Sequence, residues 1–309
     1  MITFYKNSSN GLIKTEVREP KSWIMIECPT ESEKNYLFNE LQIPQAFYND
    51  IEDIDERPRI EIEDGWYLII IRTPFKTGDE KLPYNTAPLG LIFKDDIFVS
   101  VCFHKIEVLD DFVVYTERKN IKIIDSFDLV LKLLLSTSIW FLKHLKQINQ
   151  LIKHAENNLE KSIRNEDLQI LLQIEKCLVY FITSLKGNDI LFHRLKNIKN
   201  INETFDSELV EDVQIEIRQA QETTNIYSDI LSGMMDAYAS VISNNLNIVM
   251  KRLTAISIIL MIPTLIASLY GMNVPNNLEN NMLGFWYVLI GCLGFSTIGV
   301  LLFRKKNFF

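Results

Sequence analysis

Cysteine and histidine are scarce and scattered. The four cysteines, Cys28, Cys102, Cys177 and Cys292, form no C-x-x-C pair. The four histidines, His104, His144, His154 and His193, stand at no ligand spacing from them. Neither a disulfide framework nor a zinc site is expected, and buried reduced thiols are. The amino terminus, MITFYKNSSNG, lacks a basic stretch followed by an apolar run, so a cleaved signal peptide is not expected and the bulk of the chain should stay in the cytoplasm. There is no G-x-x-x-x-G-K-[ST] and no nucleophile–base or metal-ligand set, so neither nucleotide-driven transport nor an enzyme or organic cofactor is indicated.

Charge is almost missing from the carboxyl-terminal end. From Asn247 onward Glu279 is the single acid, and the bases are Lys251, Arg252, Arg304, Lys305 and Lys306. Taken from totals of 32 basic and 40 acidic residues, this leaves a net of −12 for residues 1–246. A part that acidic repels nucleic acid and accumulates cations, although solubility alone also accounts for it.

Within the charge-poor end, residues 253–270 read LTAISIILMIPTLIASLY, about the minimum that crosses a hydrocarbon core, and 282–303 form a second uncharged run. The short polar link VPNNLENN makes them an antiparallel hairpin. Basic residues flank only the outer ends, which places both termini in the cytoplasm and the loop outside a cell (inner) membrane. Tyr270, Trp286 and Tyr287 cluster near the loop as an aromatic belt would. The uncharged runs 133–142 and 177–185 are too short to span and read as core helices.

Ahead of the first span, Val210, Val213, Ile217, Ala220, Thr224, Tyr227, Leu231, Met234, Tyr238, Val241, Asn245 and Ile248 alternate spacings of three and four. No proline interrupts residues 205–262, so the pattern predicts one long stalk helix, on the order of 90 Å, continuing into the membrane. A second stripe, Asn247, Met250, Thr254, Ser257, Met261, Thr264 and Ser268, is largely polar. It fits either helix–helix contact or a wetted pore wall. Asp236, eleven residues before Asn247 on the same face, would then sit at the inner mouth. One helix cannot enclose a pore, so a wet face implies a ring-shaped homo-oligomer.

At the end of the first span stands Tyr270-Gly271-Met272-Asn273. This Y-G-M-N, its approach LNIVMKRLTAISIILMIPTLIASLYGMN and the tail Lys305-Lys306-Asn307-Phe308-Phe309 resemble the CorA family of magnesium and divalent cation transporters. Residues 23–29 and Glu56-Arg57-Pro58-Arg59 look similar too. The resemblance implies an α+β membrane protein assembled as a funnel-shaped homopentamer in the bilayer. It would have a mixed α/β cytoplasmic domain (1–200), a stalk helix (205–252) and a pore-lining first transmembrane helix (253–270). An external loop (271–281), a second transmembrane helix (282–303) and a basic cytoplasmic tail (304–309) would follow.

It further implies a channel for potential-driven uptake of hydrated Mg²⁺, with Co²⁺ and Ni²⁺ as further cargoes, gated by cytoplasmic Mg²⁺. Gly271, Met272 and Asn273 would form the ion entrance. Met250, Leu253 and Met261 would form the apolar constriction, with Thr264 also lining the pore and Asn247 and Asp236 ringing the inner mouth. Asp212 falls where the family has a regulatory carboxylate, with Asp79 or Glu80 as its amino-terminal partner. A neutral asparagine ring suits Mg²⁺, which gives up its waters reluctantly. A Zn²⁺ or Co²⁺ transporter or exporter of the same fold remains open, as does a non-conducting membrane-anchored coiled-coil sensor.

In residues 1–200, the β-branched and aromatic runs 23–27, 66–72, 88–93 and 97–103 read as strands, and 125–162 and 166–196 as long helices. The block 50–64 carries eight carboxylates and reads as a solvated face.

Overall fold

The computed structural model describes residues 2–8, 11–79, 82–161, 165–198, 206–272 and 282–305. The chain divides into two compact units, Met1–Gly233 and Met234–Phe309.

The first unit is built on a seven-stranded sheet of order β2-β1-β3-β7-β6-β5-β4. Its strands are β1 (Ile2–Ser8), β2 (Gly11–Thr15), β3 (Trp23–Glu27), β4 (Arg59–Glu63), β5 (Trp66–Lys76), β6 (Tyr84–Lys94) and β7 (Ile97–Cys102). Every neighbouring pair is antiparallel except β3 with β7. The central strands are covered on both faces and therefore read as nearly continuous apolar runs.

Side-chain alternation separates two cores. Trp23, Met25, Ile69, Ile71, Leu89, Leu91 and Phe98 belong to one, which also contains Leu109 and Phe112 of α3 (Glu107–Lys119). Residues of α4 (Ser126–Lys161), α5 (Asn165–Lys196) and the start of α6 (Ser207–Tyr270) complete it. Ile24, Ile26, Leu68, Ile70, Val99 and Val101 face the other way. They meet Leu37, in a π turn that follows α1 (Glu31–Asn35), and Phe47, Tyr48 and Ile51 of α2 (Gln45–Glu52). Gly90 marks how closely α2 approaches, because a Cβ there would lie 2.1 Å from Ile51 Cδ1.

The expected strands at 23–27, 66–72, 88–93 and 97–103 are β3, β5, β6 and β7, and the two expected long helices are α4 and α5. The acidic block is a solvated face, as expected: none of its eight carboxylates is buried, and Glu52, Asp53, Asp55, Glu63 and Asp64 are exposed. Its residues 59–63 form β4, joined to β5 by a two-residue turn in which Asp64 and Gly65 both have positive φ (51° and 80°). Arg59 within the block binds Asp50 (2.7 Å), Glu61 (3.3 Å) and Glu56. Burial alone would lower the Arg59 pKa, yet the three carboxylates hold it above its ordinary value.

Beyond the end of β4, a side chain takes the place of a strand. The Asn188 amide on α5 accepts from Arg72 N–H and donates to Arg72 C=O, each at 2.8 Å. Asn188 is fully buried, so it satisfies two main-chain groups that water cannot reach.

The helix α5 is long and apolar enough to cross a membrane, as are α6 and α7 (Gly284–Lys305). The apolar face of α5 is occupied by its own domain: Leu171, Leu178, Phe181, Leu185, Leu191 and Phe192 are buried. The run 177–185 is thus a core segment, and so is 133–142, where Leu133, Leu134 and Phe141 are buried.

The heptad-like stripe on α6 has two fates. Val213, Ile217, Ala220, Thr224 and Leu231 are buried within the first unit, so the domain reaches well past residue 200. Every residue from 239 to 254 is exposed, including Val241, Leu246, Val249 and Leu253.

Candidate ion pathway

In the second unit, α6 continues through Pro263, whose missing N–H removes the helical bond to the Ile259 carbonyl. The Cys292 thiol of α7 donates to the Pro263 carbonyl at 3.9 Å. Gly299 of α7 faces Ile259 and Ile262, each 3.7 Å from where a Cβ would stand. These contacts fix an antiparallel pairing of the two apolar helices. The least exposed positions of α6 here are Ala255, Ile259, Ile262, Pro263, Ile266 and Tyr270, spaced by one turn.

The polar stripe falls on the opposite side. At about 100° per residue, Met250, Thr254, Ser257, Met261, Thr264 and Ser268 point roughly 200° away from that inter-helix face. All six are exposed in the single chain. Asn247 and Asp236, also exposed, project within about 60° of the same direction. Leu253 is exposed on the flank of the stripe.

Three of the four hydroxyls along this stripe have a common orientation. Thr254 donates to Met250 O (2.8 Å), Ser257 to Leu253 O (2.9 Å) and Thr264 to Leu260 O (2.8 Å). Each proton is returned to the helix, which leaves oxygen lone pairs facing outward. An acceptor-rich wall receives hydrogen bonds from the water shell of a hydrated cation. Thr297 on α7 also bonds its own backbone, to Leu293 O at 2.7 Å. The bond pattern is therefore common to both helices, and the stripe is distinguished by its continuity.

At the carboxyl end of α6, Gly271 N–H donates to Ala267 O (2.9 Å) and Met272 N–H to Leu269 O (3.4 Å). Met272 is exposed after this turn. Asn273 and the remaining loop asparagines lie outside the described residues, as do Glu80 and residues 306–309.

The two expected regulatory carboxylates among the described residues, Asp212 on α6 and Asp79 in the β5–β6 turn, are both exposed. The Asp79 N–H donates to Thr77 Oγ1 at 3.1 Å. Among the described residues no three of His, Cys, Asp and Glu group as a metal site would require.

A sequence model described as CorA-like Mg²⁺ transporter protein matches residues 21–305. The chain belongs to this CorA family. Among CorA relatives, the cobalt/magnesium transport protein CorA of Methanocaldococcus jannaschii is 27% identical over 290 residues, covering 92% of this chain and 90% of that protein. The cobalt/magnesium transport protein CorA of Thermotoga maritima is 27% identical over 265 residues, covering 84% and 74%. The complete structure of the CorA magnesium transporter from Methanocaldococcus jannaschii superposes with a TM-score of 0.84 at 24% identity, covering 100% of this chain and 99% of that one. The CorA fold, an α/β domain with long helices and a carboxyl-terminal helix, therefore extends over the whole chain.

The face of α6 that meets α7 is missing from the sequence reading, which follows only the polar stripe. Its signal is the run of Ala255, Ile259, Ile262 and Ile266 at one-turn spacing, masked because nearly every residue of the span is apolar.

Proposed function

We propose that the protein is a homopentameric magnesium channel in which the polar stripe of α6 lines the pore and α7 faces lipid. The observation that carries this reading is the two-sidedness of α6. One face is occupied by α7, and the opposite face presents hydroxyls and thioethers that are exposed among the described residues. Lipid contact does not favour a hydroxyl row. The exposed apolar residues from Val241 to Leu253 likewise need neighbouring copies to cover them.

Cations enter past Gly271, Met272 and Asn273, pass Thr264, Met261, Leu253 and Met250, and leave past Asn247 and Asp236 into the cytoplasm. Neutral Asn273 side chains hydrogen-bond the hydrated ion without stripping it. Met261, Leu253 and Met250 close the path when water withdraws from them. Two charges crossing 100 mV gain about 4.6 kcal/mol, which suffices for uptake without ATP. The relatives' names couple magnesium with cobalt, so Co²⁺ is the second cargo to compare. Cytoplasmic Mg²⁺ closes the channel by bridging Asp212 to an amino-terminal carboxylate such as Asp79 of a neighbouring copy, against the mutual repulsion of acidic domains.

Thiol accessibility tests the pathway. In a background without native cysteines, Cys at Thr254, Ser257 and Thr264 should react with a charged, water-soluble thiol reagent and lose flux on reaction. Cys at Ile259 and Ile266 should do neither. Equal reactivity on both faces, or none on the stripe, would remove the assignment of α6 as the pore wall.

A further inference from the structure

The amino-terminal unit is acidic, yet one open cavity on it, of about 720 Å³, has the opposite sign. Arg57 from the loop before β4, Arg72 from β5, and Lys186 and Arg194 from α5 line it. Of the two carboxylates beside them, Glu56 is held by Arg59, which leaves Asp55 alone. Among the described residues Arg57, Lys186 and Arg194 make no ion pair.

Arg72 lies at the base and is only 8% exposed. It donates to the carbonyls of Ile54, Glu56 and Thr86 and to the Thr86 hydroxyl, so every acceptor it meets is neutral. Burial pulls its pKa below the ordinary arginine value, with Asp55 and Asp53 opposing from a distance. Among the described residues Arg72 is hydrogen-bonded but makes no direct ion pair, and four cationic side chains against Asp55 and Glu56 leave the lining with an excess of positive charge.

The cavity is also two-toned, and its loop wall is packed on α5. Pro58 packs on Gly187, where a Cβ would come within 2.8 Å of the proline ring, so the loop carrying Arg57 is pressed onto α5. Tyr180 and Ile190, both exposed, add an aromatic and an aliphatic surface to the wall. Guanidinium forks beside an aromatic surface suit a polyanion that carries a flat ring.

We infer that this cavity is a binding site for a nucleoside polyphosphate. The phosphates lie among Arg57, Arg72, Lys186 and Arg194, and the base lies against Tyr180. The site belongs wholly to the α/β unit, so the inference stands whether or not the second unit conducts.

Equilibrium dialysis of the purified full-length protein with radiolabelled ATP, in low salt and without divalent cations, tests it. Expected is saturable binding of one ATP per chain. Replacing both exposed arginines (Arg57→Glu with Arg194→Glu) should weaken it at least about tenfold while thermal unfolding stays unchanged. Inorganic tripolyphosphate should compete less well than ATP, and Tyr180→Ala should erase that difference. Absence of saturable binding, or equal binding by the folded double variant, overturns the site. Tripolyphosphate competing as well as ATP against the wild type overturns the nucleoside assignment.

Discussion

Replacing Asn188 by alanine should destabilise the α/β unit by about 3 kcal/mol. The substitution leaves Arg72 N–H and C=O without partners at a position where α5 excludes water. A buried main-chain group without a hydrogen bond costs roughly 1–3 kcal/mol, and two are stranded at once. In a unit of this size each kcal/mol moves the unfolding midpoint by about 2–4 °C, so a drop of about 6–12 °C is expected. Thermal melting of the detergent-solubilised protein, followed by far-ultraviolet circular dichroism, measures it. Asn188→Asp should be at least as damaging, because it keeps the acceptor, loses the donor and buries a charge. A midpoint shifted by less than about 2 °C in Asn188→Ala would show that α5 does not depend on this bridge.

Two further outcomes follow from other parts of the molecule. His144 is fully buried, and burial chiefly depresses its pKa, as burial and then Arg72 depress that of His104. Below the unfolded value of about 6.5 the unfolded chain binds protons that the folded chain refuses. Stability should therefore be full above pH 6.5 and fall on acidification by up to about 1.4 kcal/mol per pH unit for each histidine. His144→Gln should flatten that slope in melts taken between pH 7 and pH 5, and an unchanged slope would remove His144 from the account. For gating, Asp212→Asn should raise the internal Mg²⁺ needed for half-inhibition of flux, and an unshifted inhibition curve would dismiss Asp212 as a regulatory ligand.

The membrane hairpin is legible because its signal is compositional: a run of uncharged apolar residues with lysine and arginine only at its outer ends. The central strands are legible for a similar reason, since burial on both faces makes 66–71 an apolar run and 97–103 one broken only by Ser100. Edge strands carry a weaker signal. In β4, Glu61 and Glu63 alternate with Ile60 and Ile62, and the carboxylate count hides the alternation. The Asp64-Gly65 dipeptide at the end of that block is the hairpin signal that identifies it.

Periodicity does not reveal what a stripe packs against. Leu231 and Val241 belong to one heptad-like series, but the first is buried in its own chain and the second is exposed. Nor is the cationic cavity visible in sequence, since Arg57, Arg72, Lys186 and Arg194 come from a loop, a strand and a distant helix. Their convergence depends on the β5 register and on the Asn188 bridge that seats α5. The entrance role proposed for Asn273 rests on the Y-G-M-N motif alone.

The most direct test of the channel reading is Mg²⁺ flux into proteoliposomes containing the purified protein, with a magnesium-sensitive dye inside, beside an Asn273→Ala variant. The account predicts uptake that needs an inside-negative potential and no ATP, and that is lost or sharply reduced in Asn273→Ala. A folded, oligomeric wild type that passed no Mg²⁺ at low internal Mg²⁺ would contradict it, and so would undiminished flux through the variant.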